Sequence, residues 1–128
     1  MFEKLEVLQM AGAMATQATL RQNAVATNIA NADTPGYRAR DVASFADTYE
    51  TEHRTAMRAT RPGHIASAGS YQVAVSDDAS ADSTSPDGNS VSIEDEMVKA
   101  VEVKRQHDLA LSIYKSSLNI LRSSLGRS

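Results

Sequence analysis

Two long stretches, one at each end of the chain, carry apolar side chains at alternating intervals of three and four. From about Phe2 to Asn31 the recurring positions are Leu8, Ala11, Ala15, Ala18, Gln22, Val25 and Ile29, the seam of a coiled-coil-like helix. Its residues are small. Alanines with Gly12 beside them let a partner helix come close, and Val7, Met10 and Met14 widen the apolar face toward the N-terminus. From about Ser92 to Leu125 the same spacing returns at Met97, Ala100, Lys104, His107, Leu111, Tyr114, Leu118, Leu121 and Leu125. Ser92 followed by Asp95 approximates a capping box. Glu94 to Glu96 put negative charge at the positive end of the helix dipole, and Arg122 lies at the other end. Two helices of similar length predict an antiparallel pair within one chain.

Between them the pattern breaks. Asn28 to Tyr37 stops the first helix: Pro35 lacks a backbone N–H and disfavours helix at Thr34, and Gly36 accepts positive φ, so Pro35-Gly36 suits the centre of a type II turn. Asp41 to Met57 holds Val42, Phe45, Tyr49 and Met57, enough for a short amphipathic helix with Phe45 and Tyr49 on one face. Ser70 to Ser76 alternates as a strand does, with Tyr71, Val73 and Val75 on one side. Asp77 to Asn89 reads as loop or disorder. The expected fold is mainly α: long N- and C-terminal helices paired as an antiparallel coiled-coil-like bundle, with an irregular middle carrying a short helix and a strand or hairpin. The expected divisions of this single axial unit are 1–37, 38–91 and 92–128.

Composition qualifies that picture. Val, Ile, Leu and Phe make up just under a fifth of the 128 residues, a poor supply for a self-sufficient core, and they cluster at the two ends. Such a chain is suited to assembly with neighbours. A net charge of -3 is too small to force expansion. With no cysteine, disulfide scaffolds and thiolate metal sites are excluded. Glu3, Lys4, Glu6 and Gln9 spoil a secretory leader despite Ala11-Gly12-Ala13, so no cleaved signal is expected.

Little points to catalysis. His53, His64 and His107 have no companion at ligand spacing, and Glu94-Asp95-Glu96 diverge around a helix rather than forming a dyad. No Gly-x-Ser-x-Gly elbow or phosphate loop is present. Arg54, Arg58 and Arg61 are better read as a solvated face than as a nucleic-acid patch, because aromatic interleaving is sparse. No enzyme, cofactor or metal is expected.

The segment Asn28-x-x-Asn31-x-x-Thr34-Pro35-Gly36-Tyr37, after an Ala-rich helix, resembles the N-terminal signature of the bacterial flagellar rod, hook and hook-associated proteins. Tyr37 to Val42 with Phe45, Thr60 to Ile65, and Asp87-Gly88-Asn89-Ser90-Val91 extend the likeness to the short proximal rod members. The resemblance implies a structural subunit of the proximal rod of the flagellar basal body, assembling helically and transmitting torque. It implies as partners copies of itself, the rod proteins FlgC and FlgF, and the adapter FliE with the MS ring protein FliF at the base. It further implies export by the flagellar type III apparatus to the periplasmic space without cleavage, whereas composition alone suggests the cytoplasm. No nucleic acid and no membrane insertion are expected. The motif residues are Asn28, Asn31, Thr34, Pro35, Gly36 and Tyr37. The expected assembly seam is Leu8, Ala11, Ala15, Ala18, Val25 and Ile29 with Leu111, Tyr114, Leu118, Leu121 and Leu125. A FlgC-like rod protein and a soluble helical adaptor that grips a partner helix are the alternatives.

Overall fold

The computed structural model describes residues 2–55, 71–81 and 84–126. The chain runs α1 (Phe2–Ala30), β1 (Arg40–Val42), α2 (Phe45–Thr55), β2 (Val75–Asp77) and α3 (Ile93–Leu125). The 29 residues of α1 and 33 of α3 give helices on the order of 45 Å long at the α-helical rise. They pack together antiparallel. Gln106 Nε2 donates to Gln17 Oε1 at 3.1 Å, Met14 sits beside Leu109, and Val7 lies beside Ser117 and Ile120, so one number falls as the other rises.

The helices do pair, but through a seam turned by about one residue from the expected one. In α3 the buried positions are Glu96, Val103 and Ala110, spaced by sevens, rather than Met97, Lys104 and Leu111. One residue is a rotation of about 100°. Met97 is 60% exposed, Leu125 69%, and Leu111 and Tyr114 are also exposed, while Leu118 and Leu121 are half-buried at the seam's edge. In α1, Ala11, Ala18 and Val25 are buried as expected, and Leu8 and Ala15 are half-buried. Gln22 and Ile29 face outward, and their places are taken by Gln17, Ala24 and Asn28. The physical reason is close approach. Helices that meet closely across Ala11, Ala18, Val103 and Ala110 leave the leucines to the flanks, while the larger Gln17 and Glu96 are held inside by their hydrogen bonds and by the Lys99 ion pair.

The described part of the middle is more ordered than its composition suggests. Ser44 caps α2, accepting from Asp47 N and donating to Asp47 Oδ2, so the helix begins at Phe45 and not at Asp41. Phe45 and Tyr49 share a face with ring centroids 5.1 Å apart, and Tyr71 packs at 5.9 Å. Asp41 belongs to β1 instead, which pairs antiparallel with β2 in the register Arg40↔Asp77, Asp41↔Ser76 and Val42↔Val75. The strand expected over Ser70 to Ser76 therefore sits later, at Val75–Asp77, because the ladder is set by the partner. His64, Met57, Arg58 and Arg61 lie outside the described residues, with the rest of Thr60 to Ile65. So do the side chains of His53 and Arg54.

Candidate functional site

The elements converge where α1 ends. The helix yields to a turn in which Tyr37 N donates to Thr34 O at 3.2 Å and Gly36 takes φ +71°, a left-handed conformation open to glycine at no steric cost. Asn31 braces the turn locally: its Nδ2 donates to Thr27 O and its Oδ1 accepts from Thr34 Oγ1. Asn28 reaches further. Fully buried, it donates from Nδ2 to Arg40 O at 2.7 Å and accepts at Oδ1 from Arg40 N at 2.9 Å, with Tyr37 Oη also donating to Oδ1 at 3.3 Å. One amide thus binds both backbone groups of a β1 residue, as a neighbouring strand would.

A second asparagine closes the turn from the other side. Asn89, 2% exposed, donates from Nδ2 to the carbonyls of Asn31, Ala32 and Thr34 at 2.8–2.9 Å, and its Oδ1 accepts from Val91 N. These carbonyls belong to the turn that follows α1; Asn31 O and Thr34 O also accept from Thr34 N and Tyr37 N, and Asn89 adds the bonds that tie the turn to the segment just before α3. Three further bonds fasten the two segments: Gly36 N to Asp87 O, Ser90 N to Tyr37 O, and Ala39 N to Ser90 Oγ. Gly88, at φ +84°, supplies the left-handed backbone of the second turn and lies against Gly36. The run Asp77 to Asn89, expected to be loop or disorder, thus ends in a fixed latch.

Beside the latch lies a charge cluster. Arg21 grips Asp41 with two hydrogen bonds, at 3.0 and 3.3 Å, and Lys99 bonds Asp78 while reaching Glu96 at 3.4 Å and Asp41 at 3.9 Å. Burial opposes the charge on Asp78, but hydrogen bonds from Lys99 and Ser80 outweigh it and hold the carboxyl below its ordinary value. Burial likewise opposes the charge on Lys99, and its bond to Asp78 with the nearby Glu96 carries the balance upward. A groove of about 340 Å³ opens over these groups, floored by Glu96, Lys99 and Asp78.

The structure brings all six motif residues into one place. Asn28 and Tyr37 are tied to β1, Asn31 and Thr34 to each other, and Pro35 with Gly36 forms the turn. The seam residues are spread along both helices. Reading by residue type missed Gln17, Asn89, Glu96 and the Arg21–Asp41–Lys99–Asp78 chain, because isolated polar residues carry no period. Among the described residues no group of three or more His, Asp or Glu side chains could hold a metal, and no helix is long and apolar enough to cross a membrane. His107 is half-buried on α3.

The sequence model of the flagella basal body rod protein family matches residues 9–38, which run from the third turn of α1 to the end of the turn that follows it. The likeness also reaches well beyond that segment. Flagellar basal body rod protein FlgB of Agrobacterium fabrum is 37% identical over 118 residues, spanning 89% of this chain and 88% of its own length. The chain belongs to the flagellar basal body rod protein family. FlgB of Escherichia coli and FlgB of Shigella flexneri are each 33% identical over 115 residues, spanning 80% of this chain and 83% of theirs. Membership gives the latch its context: the family segment ends on Arg38, with Tyr37 in contact with Asn28.

Proposed function

We propose that the chain is a structural subunit of the proximal rod of the flagellar basal body, built helically from its own copies and from other rod proteins. The observation that carries the reading is the match to FlgB proteins across nearly the whole length. The fold is consistent with it: a stiff helical pair, locked at one end by the latch, that leaves Met97, Val98, Val101 and Leu125 in solvent. Isolated apolar residues on a surface need no explanation, but a run of them on one helix asks for a neighbour.

On this reading the subunit passes torque from the MS ring toward the distal rod and hook. FliE and FliF lie at its base and FlgC and FlgF above, and it reaches the periplasmic space through the type III apparatus with no leader removed. The test is biochemical. Basal bodies purified from cells should contain the chain, cells lacking it should build no hooks, and its mature N-terminal sequence should begin uncut. Recovery only in the cytosol, with hooks built normally in its absence, would show a soluble adaptor instead. Leu118→Asp, at the edge of the helical seam, should give non-motile cells without hooks at normal cellular and secreted protein levels.

A further inference from the structure

The outward face of α3 changes character along its length. Over its first three turns it presents Ile93, Met97, Val98 and Val101, all exposed. Beyond Glu102 the same face is mostly polar, with Lys104, Arg105, Asp108, Ser112, Lys115 and Asn119 in solvent and Leu109 an exposed apolar residue among them. The apolar patch runs directly into the groove beside the latch, because Val98 lines both.

That groove is acidic and incompletely satisfied. Asp95 and Glu96 join Asp78 in its lining, and Lys99 is the single cation there among the described residues. Glu96 is 2% exposed, and its Oε2 has no hydrogen-bond partner among the described residues. Buried carboxylate oxygens ordinarily find donors, so this one marks a place where a donor is wanted.

The opposite half of α3 carries the complement. Leu111, Tyr114, Leu118 and Leu125 recur at helical spacing along one edge of the seam, exposed or half-buried, and Arg122 falls in the same row. Arg122 has no ion-pair partner among the described residues. An apolar patch with an unsatisfied acid and an apolar row with a guanidinium that pairs with no acid among the described residues thus occupy two ends of one helix.

We infer that these two surfaces are halves of one contact between copies of this chain, in which Arg122 and the row around Leu118 and Leu125 of one copy dock on the Asp95–Glu96 groove and the Val98 patch of the next. A guanidinium supplies several donors in a plane and suits a carboxylate better than an ammonium does. Because the two surfaces differ and lie on the order of 30 Å apart along the helix, the contact is heterologous. Each copy leaves one half of it free, so the contact propagates instead of closing a dimer. The rod-subunit reading supplies its biological setting, while the contact is testable on the purified chain.

The chain has no cysteine, so single cysteines report without background. A Val98→Cys chain, tagged to change its size, is mixed with a Leu125→Cys chain and oxidised gently; both sites are solvent-exposed, and circular dichroism should show each variant as helical as the parent chain. Mixed disulfide dimers should dominate over either like-with-like dimer. In sedimentation experiments Asp95→Arg and Arg122→Asp should each weaken self-association at least about tenfold, and the double variant should restore it. The inference is overturned if Val98→Cys chains join mainly to each other, or if charge exchange fails to rescue. It is also overturned if mixed dimers are missing both from the chain at its solubility limit and from basal bodies carrying the two variants. Absence of the chain from basal bodies would sink the rod reading alone and leave the solution result to judge the contact.

Discussion

The two ends of the helical pair are built on different principles. At the latch, Asn28 and Asn89 satisfy backbone groups of three separate segments, and the charges of Arg21, Asp41, Lys99 and Asp78 lie against one another. At the far end, where α1 begins and α3 finishes, Leu5, Val7, Ile120 and Leu125 stand in solvent. Directional bonds fix a geometry, whereas exposed apolar surface is indifferent to geometry until something covers it. The molecule therefore has one end whose geometry its own bonds fix, with the Met97, Val98 and Val101 patch exposed beside it, and one end left unfinished.

The sharpest break of this contrast is Asn89→Ala. Removing the amide leaves the Ala32 carbonyl without its donor and strips a second donor from Asn31 O and Thr34 O, which keep Thr34 N and Tyr37 N. Roughly 1–3 kcal/mol of stability should be lost in urea unfolding. A cost below about 0.5 kcal/mol would mean that the latch does not hold the helices. Next comes Gly36→Val. A Cβ there meets open space, so the cost is conformational alone: about 1–2 kcal/mol for a branched residue held at positive φ. Gly36→Asn should recover much of the loss, since asparagine tolerates that region, and equal damage from both would point to something other than backbone strain.

Acidity offers a subtler probe. Asp78 has a lower pKa folded than unfolded, so its contribution is present above the ordinary value of 3.8 and disappears as pH falls through the folded value. Lys99 has a raised pKa, so its share is complete below 10.5 and is lost as pH climbs past the folded value. Wild type and Asp78→Asn should therefore differ in urea midpoint near neutrality and converge toward about pH 2–3. A gap independent of pH would remove the ion pair from the account. The smallest effect is expected at the unfinished end: Leu125→Ser should change the stability of the isolated chain by no more than about 0.5 kcal/mol. Amide exchange should agree, with slow exchange near Asn28 and Val103 and fast exchange near Leu5 and Leu125.

Much of this architecture was legible in the sequence. The three-four spacing marks both long helices, Ser92 marks the start of α3, and Pro35-Gly36 marks the turn, because each signal is local. The rotation of the seam was not legible. Periodicity weighed by size favours Met97 and Leu111 over Glu96 and Ala110, yet close packing chooses the small residue, and the network around Lys99 makes a glutamate tolerable inside. Asn89 was hidden for another reason. It sits in a Ser, Asp and Gly run typical of linkers, and the carbonyls it bonds lie more than fifty residues earlier. Its one visible trace was the segment Asp87 to Val91, which carried part of the family resemblance.

Gln17 and Gln106 have a mechanical consequence. Alanine surfaces alone would let two helices slide past one another by a turn, about 5.4 Å, with little change in fit. The amide of Gln17 stands in the way, since it bonds Gln106 across the seam and Ala43 O beside it, and is itself fully buried. Any slip strands the Gln17 amide away from water. Under shear the pair behaves like a keyed shaft, with a glutamine as the key.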